Sequence, residues 1–292
     1  MRFSALTVVC CGLTAVAPAP AVADQCQDPQ VLRLAVQPNK NVVRLMSDFQ
    51  PIVDLLTNAT GKKIVLVLPR SYSSLEDSVI GDEVDIARIG AEGYVTARAK
   101  NSTIEPFAAN VASSNVVQET GPSYRSLLIT TKKSAFQSID SLKGARLALV
   151  DPLSTSGALI PTKVFPMENH LPQIQEFFSK ITYSGKHDNS VAMVVDGRVD
   201  AAFVSSAQFM GLVGSGKTSL DDITILWRSR PIPVSPFVYR STLCPILKRR
   251  IADTFLHAHE SEIGRRFLKI LESEKFVTIV DSDYDIVRQV LQ

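Results

Sequence analysis

The sequence predicts an α/β fold with parallel strands, because strand and helix patterns alternate along the chain. Short apolar runs such as Val31–Val36 and Lys63–Leu68 are typical of buried strands. Between them, Asn41–Asn58 has apolar residues at helical spacing, and Gly61 follows as a stop signal. This alternation continues over most of the 292 residues, a length that suits one large domain or two of ordinary size.

The remaining elements are assigned on the same grounds of periodicity and flanking turn residues. In chain order they are helix Ser71–Ile80, strand Val84–Ala87, helix Glu92–Lys100, strand Ser126–Thr131, short helix Ile139–Gly144, strand Leu147–Val150, helix Leu171–Phe178, strand Lys180–Ser184, helix His187–Asp196, strand Val199–Val204, short helix Ser206–Val213, strands Thr224–Trp227 and Phe237–Tyr239, and a helical C-terminal part.

Two extended segments divide this alternation into two lobes. They are Gly121–Tyr124 and the proline-rich Pro231–Pro236, whose prolines make the backbone stiff. Two lobes joined by two such crossovers form a cleft that closes on a small solute. The predicted lobes are residues 24–120 with 236–292, and residues 121–235.

The N-terminus has the pattern of a secretory signal peptide over residues 1–23. Arg2 supplies the positive start, Ala5–Ala17 is apolar, and Ala21–Ala23 fits a small-residue cleavage site. The apolar run is too short for a membrane-spanning helix. We therefore expect a cleaved signal and a soluble exported protein.

Cys26 and Cys244 are the two cysteines that remain after this cleavage. In an oxidising compartment they form a disulfide or stay as two separate buried thiols, and we prefer the disulfide. No cysteine and histidine cluster has metal-ligand spacing, so no metal or other cofactor is predicted. The formal net charge of +2 lacks the concentrated basic surface that nucleic-acid binding needs.

Three consecutive hydroxyl residues follow the strand signal Arg146–Val150 at a predicted helix start. They are Ser154, Thr155 and Ser156, after Asp151-Pro152 and before Gly157. Free backbone N–H groups and the helix dipole attract anions there, and the glycine allows a close approach. An ordinary N-cap needs one hydroxyl and binds nothing. Both interpretations are open on this segment alone.

This segment and seven others resemble, in chain order, the PhnD-like family of periplasmic phosphonate, phosphite and phosphate-binding proteins of ABC importers. The matching segments are Leu32–Val36, Pro69–Tyr72, Val84–Gly90, Pro122–Ile129, Ser154–Ser156, Gly185–His187, Gly197–Ala202 and Pro231–Pro233 with Pro236.

The resemblance implies a two-lobed, type II-like periplasmic binding protein fold with two crossover strands and a central ligand cleft. It implies a small anionic solute, an ABC transporter permease in the inner membrane as partner, and a periplasmic monomer without enzymatic activity. The ligand-binding residues that it implies are Tyr72, Tyr124, Ser154, Thr155, Ser156 and His187. Their hydroxyl and imidazole N–H groups are the donors that a phosphoryl group needs.

Two departures from the family bear on the ligand. Aminoalkylphosphonate binders of the family hold the ammonium group with acidic residues, one after the strand ending at Val204 and one in the second crossover. This chain has Ser205–Gln208 and Ser235 there. A buried carboxylate is retained where a cation pairs with it. We therefore expect a ligand without an amino group, such as phosphate, phosphite or an alkylphosphonate, with Ser235 near it.

Arg88 stands where the family often has an aromatic residue. It supplies positive charge to the cleft, or it pairs on the surface with Glu92 at the i,i+4 spacing. Of these two readings we prefer the surface pair, and we keep Arg88 as a candidate ligand-binding residue.

The sequence leaves two other functions open, those of a sensory binding protein and of a hydrolase. A sensory binding protein would present an oxyanion such as arsenite to a histidine kinase, although no cleft thiol is evident. A hydrolase would combine Ser156 with His187, without a Gly-x-Ser-x-Gly elbow. The string Gly211–Thr218 matches the Walker A pattern, but a helix precedes it and too few residues follow for another, so we expect a surface loop.

Overall fold

The computed structural model describes Met1 and residues 26–292. The predicted signal peptide, residues 1–23, lies outside the described residues, apart from Met1. The strands of the described part are β1 (Val31–Val36), β2 (Lys63–Val67), β3 (Ile86–Arg88), β4 (Ile104–Ala112), β5 (Ser123–Tyr124), β6 (Ser126–Thr131), β7 (Arg146–Leu149), β8 (Lys180–Tyr183), β9 (Ala201–Ser205), β10 (Ile223–Arg228), β11 (Ile232–Pro233), β12 (Phe237–Arg240) and β13 (Ser273–Val277).

The helices cover the faces of the sheets and connect the parallel strands. They are α1 (Val42–Thr60), α2 (Tyr72–Ile80), α3 (Ala91–Lys100), α4 (Ile160–Lys163), α5 (Phe165–Glu168), α6 (Ile174–Phe177), α7 (His187–Val195), α8 (Ser206–Gly214), α9 (Pro245–Leu256), α10 (Glu262–Ile270) and α11 (Asp285–Leu291). Most predicted elements are present with bounds shifted by one or two residues. The predicted helix Leu171–Phe178 is shorter, with one turn at Ile174–Phe177.

The first sheet has six strands in the order β13-β4-β12-β3-β1-β2. It carries a core on each face, because neighbouring residues of β1 point to opposite sides. Leu34 packs in one core with Phe49 of α1, and Ala35 packs in the other with Tyr94 of α3. Burial on both faces explains why the strands are almost continuously apolar.

The second sheet has five strands in the order β10-β6-β9-β7-β8, again with a core on each face. Both sheets are mixed rather than parallel, which corrects the sequence prediction. β12 runs antiparallel to β3 and β4, and β6 runs antiparallel to β9 and β10. β6 follows the first crossover and β12 follows the second. The direction of each strand therefore depends on the path of the chain between the lobes and not on a local βαβ unit. The sequence patterns also missed β4 and β13.

The two crossovers pair with each other as a two-stranded ribbon between the sheets. β5 and β11 are antiparallel, with Tyr124 opposite Ile232 and Ser123 opposite Pro233. The chain leaves the first sheet after Ala112 and returns to it at Phe237. The predicted lobe boundaries, at 120/121 and 235/236, fall within these connecting segments and stay a prediction.

Cys26 and Cys244 are joined by a disulfide, with an S–S distance of 2.12 Å and a sequence separation of 218 residues. Cys244 is the residue before helix α9, and the backbone of Gln27 bonds to both Thr242 and Cys244. The bridge therefore ties the start of the described chain to the segment that follows β12. No helix in the described part of the chain is long and apolar enough to cross a bilayer.

Candidate functional site

A cleft of about 900 Å³, including its open mouth, lies between the two sheets at the crossover ribbon. The eight candidate ligand-binding residues come from separate elements, and the fold brings all of them to the walls of this cleft. They are Tyr72, Arg88, Tyr124, Ser154, Thr155, Ser156, His187 and Ser235. Their role in ligand binding stays a prediction.

The hydroxyl turn, residues 154–156, follows β7 and begins a helical segment whose first turn, Thr155–Leu159, is a wide π-turn. Ser154 caps it, because its Oγ accepts a hydrogen bond from the Gly157 N–H at 3.1 Å. All three hydroxyl residues are buried. The N-cap interpretation is therefore true of Ser154, and Thr155 and Ser156 are left with hydroxyls that the cap does not need.

Thr155 links this turn to the other lobe. Its Oγ1 accepts a hydrogen bond of 2.9 Å from the backbone N–H of Glu92, the second residue of α3. Two further hydrogen bonds join the lobes at the cleft mouth, from Arg44 Nη2 to the Gly211 carbonyl at 3.1 Å and from the His187 N–H to the Asn39 carbonyl at 3.3 Å. The lobes are thus in a closed arrangement around the cleft.

Gly157 lets the turn lie directly against the end of β7. A Cβ at this position would come within 2.4 Å of Val150 Cγ2 and 2.8 Å of Ser154 Oγ. Any side chain would therefore push the hydroxyl turn away from the strand. The glycine is required for packing and not for an unusual backbone angle.

Two phenol groups face the hydroxyl turn from the first lobe and the crossover. Tyr72, the first residue of α2, lies beside Ser154, and its buried hydroxyl has no hydrogen-bond partner among the described residues. Tyr124 of β5 lies beside Thr155 and Ser156. Burial raises the pKa of both phenols, so both keep a proton at neutral pH and can donate it to a ligand.

His187 begins helix α7 and is buried at the cleft wall. Its Nδ1 accepts a hydrogen bond of 3.1 Å from the backbone N–H of Ser205, the last residue of β9. Burial lowers the pKa of His187 to about 3, so the imidazole is neutral. A neutral ring with Nδ1 as acceptor carries its proton on Nε2, which makes Nε2 a hydrogen-bond donor.

Arg88 lies in the cleft, and the preferred interpretation of a surface pair with Glu92 is wrong. Arg88 is the last residue of β3, and it projects from the carboxyl edge of the sheet among cleft residues. Its Nη2 donates to Asn110 Oδ1 at 3.2 Å, and its guanidinium lies 5.7 Å from the centre of the Phe237 ring. Glu92 instead packs towards the opposite lobe, where α3 meets the hydroxyl turn.

The wall from the first lobe contains polar residues that the sequence patterns did not single out. Gln37, Asn39 and Lys40 come directly after β1, so the rule that ligands bind beyond the carboxyl ends of strands would have found them. Asn110 of β4 and Glu272 after α10 had no such signal. Their positions depend on antiparallel strands that periodicity did not detect.

A carboxylate therefore does line the cleft, although not at the two positions compared in the sequence. Burial raises the pKa of Glu272. The positive charges of the nearby Lys40 and Arg44 offset only part of this increase. Ser205, Ala207, Gln208 and Ser235, at the positions compared with aminoalkylphosphonate binders, line the cleft and carry no charge. No group of side chains in the described part of the chain has the composition of a metal site.

The Walker-like string does not form a phosphate loop. Its first four residues, Gly211–Gly214, are the end of helix α8, and the rest is the connection to β10. The string therefore starts in the helix that was predicted over Ser206–Val213, and no helix lies between it and β10.

Similarity to known protein families identifies the family of this chain. A family model described as an ABC transporter phosphonate periplasmic substrate-binding protein matches residues 34–284. The chain belongs to this family. The family prediction is thus confirmed, and the described role of the family is substrate binding for transport in the periplasm, not catalysis.

Individual relatives agree with this assignment. The chain is 26% identical over 287 residues to the phosphate-import protein PhnD of Mycolicibacterium smegmatis, covering 90% of this chain and 85% of the relative. It is 24% identical over 235 residues to the phosphonates-binding periplasmic protein of Escherichia coli, covering 79% and 67%.

Solved structures share the fold of this chain. A binding protein component of a Pseudomonas aeruginosa ABC phosphonate transporter superposes with a TM-score of 0.81 at 24% identity, over 90% of this chain and 86% of that one. PhnD1 from Prochlorococcus marinus in complex with methylphosphonate superposes with a TM-score of 0.80 at 17% identity, over 90% and 97%. The predicted two-lobed, type II-like fold is confirmed.

Proposed function

We propose that this protein captures a small phosphorus oxyanion without an amino group, namely phosphate, phosphite or an alkylphosphonate, for an ABC importer. The observation that carries the proposal is the convergence of donor groups from both lobes. Tyr72 comes from the first lobe, Tyr124 from the crossover, and the hydroxyl turn and His187 from the second lobe. A tetrahedral anion offers several acceptor oxygens to such a set.

The protonation states make the site selective for acceptors. Both phenols keep their protons, and His187 presents Nε2–H because its Nδ1 is occupied by Ser205. Every one of these groups can donate without first losing or gaining a proton. Among the relatives, one is named for phosphate import and one is solved with methylphosphonate, which supports the phosphorus oxyanion class.

The charges of the cleft favour a ligand without an amino group. The positions compared with aminoalkylphosphonate binders are uncharged, and Glu272 already faces the two cations Lys40 and Arg44. An ammonium group would enter a cleft with more basic than acidic side chains and no free carboxylate partner. That cost disfavours 2-aminoethylphosphonate relative to an uncharged chain of the same length.

The chemistry of His187 also argues against a hydrolase. A general base for Ser156 needs an unprotonated ring nitrogen facing the cleft. The Ser205 N–H occupies Nδ1, so the proton sits on Nε2, and the ring is a donor there and not a base. For arsenite, Cys26 and Cys244 are joined to each other, so these two cysteines offer no thiol to the cleft.

The closed arrangement suggests how the solute is passed on. Hydrogen bonds from Glu92 to Thr155 and from Arg44 to Gly211 hold the two lobes together around the cleft. Closure over the solute would fix the relative orientation of the two lobe surfaces. We propose that a membrane permease recognises these surfaces in the closed orientation. We also propose that the protein acts as a monomer.

The test is titration calorimetry on mature, ligand-stripped protein with phosphate, phosphite and methylphosphonate. Ethylphosphonate and 2-aminoethylphosphonate form a matched pair that differs in the amino group. Each titration is repeated with Ser156→Ala and His187→Ala. Ser141→Ala serves as the matched control, because Ser141 is an exposed serine outside the cleft.

We expect at least one amine-free anion to bind, with a loss of affinity of roughly tenfold or more in the two cleft variants and none in the control. Ethylphosphonate should bind more tightly than its amino analogue. Tighter binding of 2-aminoethylphosphonate than of any amine-free anion would contradict the ligand class. Turnover of a phosphate ester, abolished in Ser156→Ala, would replace the proposal by a hydrolase.

A further inference from the structure

Arg88 is a half-buried cation in the cleft, and no carboxylate among the described residues forms a salt bridge with it. The phenols of Tyr124 and Tyr284 lie near it and are not ionised at neutral pH, and the nearby Lys40 is a second cation and not an opposite charge. Asn110 Oδ1 accepts one hydrogen bond from Nη2, and the buried Nε has no partner within the described part of the chain. The face of Phe237 supports the guanidinium but does not neutralise it.

The other cations of the cleft are compensated. Lys40 Nζ forms a salt bridge of 2.6 Å with Asp48 Oδ2, and Arg44 Nε lies 3.8 Å from the same oxygen. Glu272 adds a second carboxylate near both. The positive charge that remains unbalanced is therefore that of Arg88.

Keeping such a charge has a cost. Burying a cation without an opposite charge is unfavourable, and an unpartnered guanidinium N–H adds to that cost. Burial lowers the pKa of Arg88 to about 10, which still leaves it charged at neutral pH. An anion in the same cleft would supply the opposite charge that the described residues around Arg88 do not provide.

We infer that Arg88 receives a second negative charge of the solute, so that the protein selects phosphorus compounds that carry two negative charges over those that carry one. This inference rests on the proposed function, which places the phosphoryl group at the hydroxyl turn. The second charge comes from the second ionisation of the phosphoryl group or from a carboxylate on the carbon chain, as in phosphonoacetate. Arg88 is then a specificity-determining residue.

The experiment compares isosteric ligands that differ in charge. Methylphosphonate is doubly charged above its second ionisation, whereas methanesulfonate has the same shape and a single charge. Phosphonoacetate adds a carboxylate. All three are titrated by calorimetry into the mature wild-type protein, Arg88→Gln and Arg88→Lys, at a pH above the second ionisation of the phosphonates.

We expect the wild-type protein to prefer methylphosphonate to methanesulfonate, and Arg88→Gln to reduce that preference by at least about thirtyfold. Arg88→Lys should keep part of it, since it keeps the charge. A selective loss for methylphosphonate assigns the second charge to the phosphoryl group. A loss confined to phosphonoacetate assigns it to the carboxylate.

A melting curve of each variant without ligand separates this role from a structural one. Removal of an unpaired buried charge should leave the melting temperature unchanged or raise it. The inference is overturned if Arg88→Gln keeps both the wild-type preference for methylphosphonate over methanesulfonate and the wild-type affinity for phosphonoacetate, whether or not the variant melts lower. If the wild-type protein binds no phosphorus compound at all, the proposed function itself fails, which is a different result.

Discussion

The backbone N–H of Ser205 donates to Nδ1 of His187 across 3.1 Å. This bond comes from the residue that ends β9 and holds the ring that begins α7, so the second sheet itself selects the tautomer of the imidazole. A histidine held in this way is a permanent neutral donor, and it differs from the pH-dependent histidines common on protein surfaces.

The first prediction concerns the protonation of His187. Because burial lowers its pKa to about 3, its ring signals should not titrate between about pH 5 and pH 8 in NMR spectra of the folded protein. His257 is the internal comparison, since it is exposed and Glu260 raises its pKa, so its signals should titrate in or above this range. A midpoint near the ordinary histidine value for His187 would contradict the lowered pKa of the buried ring.

The second prediction concerns Gly157. In Gly157→Ala the new Cβ would overlap Val150, so we expect a loss of about 1–3 kcal/mol in the free energy of unfolding, together with weaker anion binding. Urea unfolding and calorimetry measure the two effects. Gly121→Ala is the control, because its Cβ would meet nothing closer than Ser123 Oγ at 3.7 Å.

A double variant tests the cause of that loss. Val150→Ala removes Cγ2, which the new Cβ would meet at 2.4 Å, but keeps the Val150 Cβ at 2.5 Å. The double variant should therefore lose somewhat less stability than the two single changes together. Strict additivity would mean that the overlap with the Val150 methyl group does not contribute to the loss.

The third prediction concerns Glu92, whose pKa burial raises to about 7, with further contributions from Glu76 and Asp151. The folded state favours the protonated form of the Glu92 carboxyl. This group therefore contributes to the stability of the protein below its unfolded pKa, and the contribution is lost as the pH rises from about 4.5 to about 7. Glu92→Gln imitates the protonated form. We expect it to be more stable than the wild-type protein above about pH 8, by up to about 3 kcal/mol, and equally stable near pH 4.

Chemical unfolding at a series of pH values measures this difference. Glu274→Gln is the matched control, because it also replaces a glutamate by glutamine but at an exposed position. A Glu92→Gln profile parallel to that of the wild-type protein would show that Glu92 keeps the same pKa on unfolding.

The fourth prediction concerns the bridge between Cys26 and Cys244, which closes a loop of more than two hundred residues. Loss of this constraint in the double variant Cys26→Ser with Cys244→Ser should lower the free energy of unfolding by roughly 3–5 kcal/mol. Anion affinity should not change at a temperature where both proteins are folded, since neither cysteine lines the cleft. Two free thiols in the unreduced wild-type protein would contradict the bridge.

Much of the site was predictable because its signals are local. The run Ser154–Ser156 after a strand, a tyrosine at the start of α2 and a histidine at the start of α7 all lie at ends of elements that periodicity locates. Strand ends in an α/β sheet meet at one edge, so the residues that follow them converge. The same rule applied to β1 would have added Lys40.

The orientation of Arg88 was not predictable from spacing. The i,i+4 relation to Glu92 assumes one continuous helix, but a sheet edge and a turn separate the two residues. Arg88 belongs to β3, and Asn110, which holds its guanidinium, belongs to β4, two strands away across β12. Only the order of strands in the sheet brings them together.

The sequence by itself determined the alternating elements, the hydroxyl turn and the family, because these depend on residue types within short stretches of chain. The tertiary structure decided strand direction, the closed contact of Glu92 with Thr155, and the charges of the cleft. Lys40 is compensated by Asp48 and Arg88 is left unpaired because the fold places some carboxylates near the cleft and others away from it. Whether two charges compensate each other depends on the distance between them in space, and the spacing of residues along the chain does not give that distance.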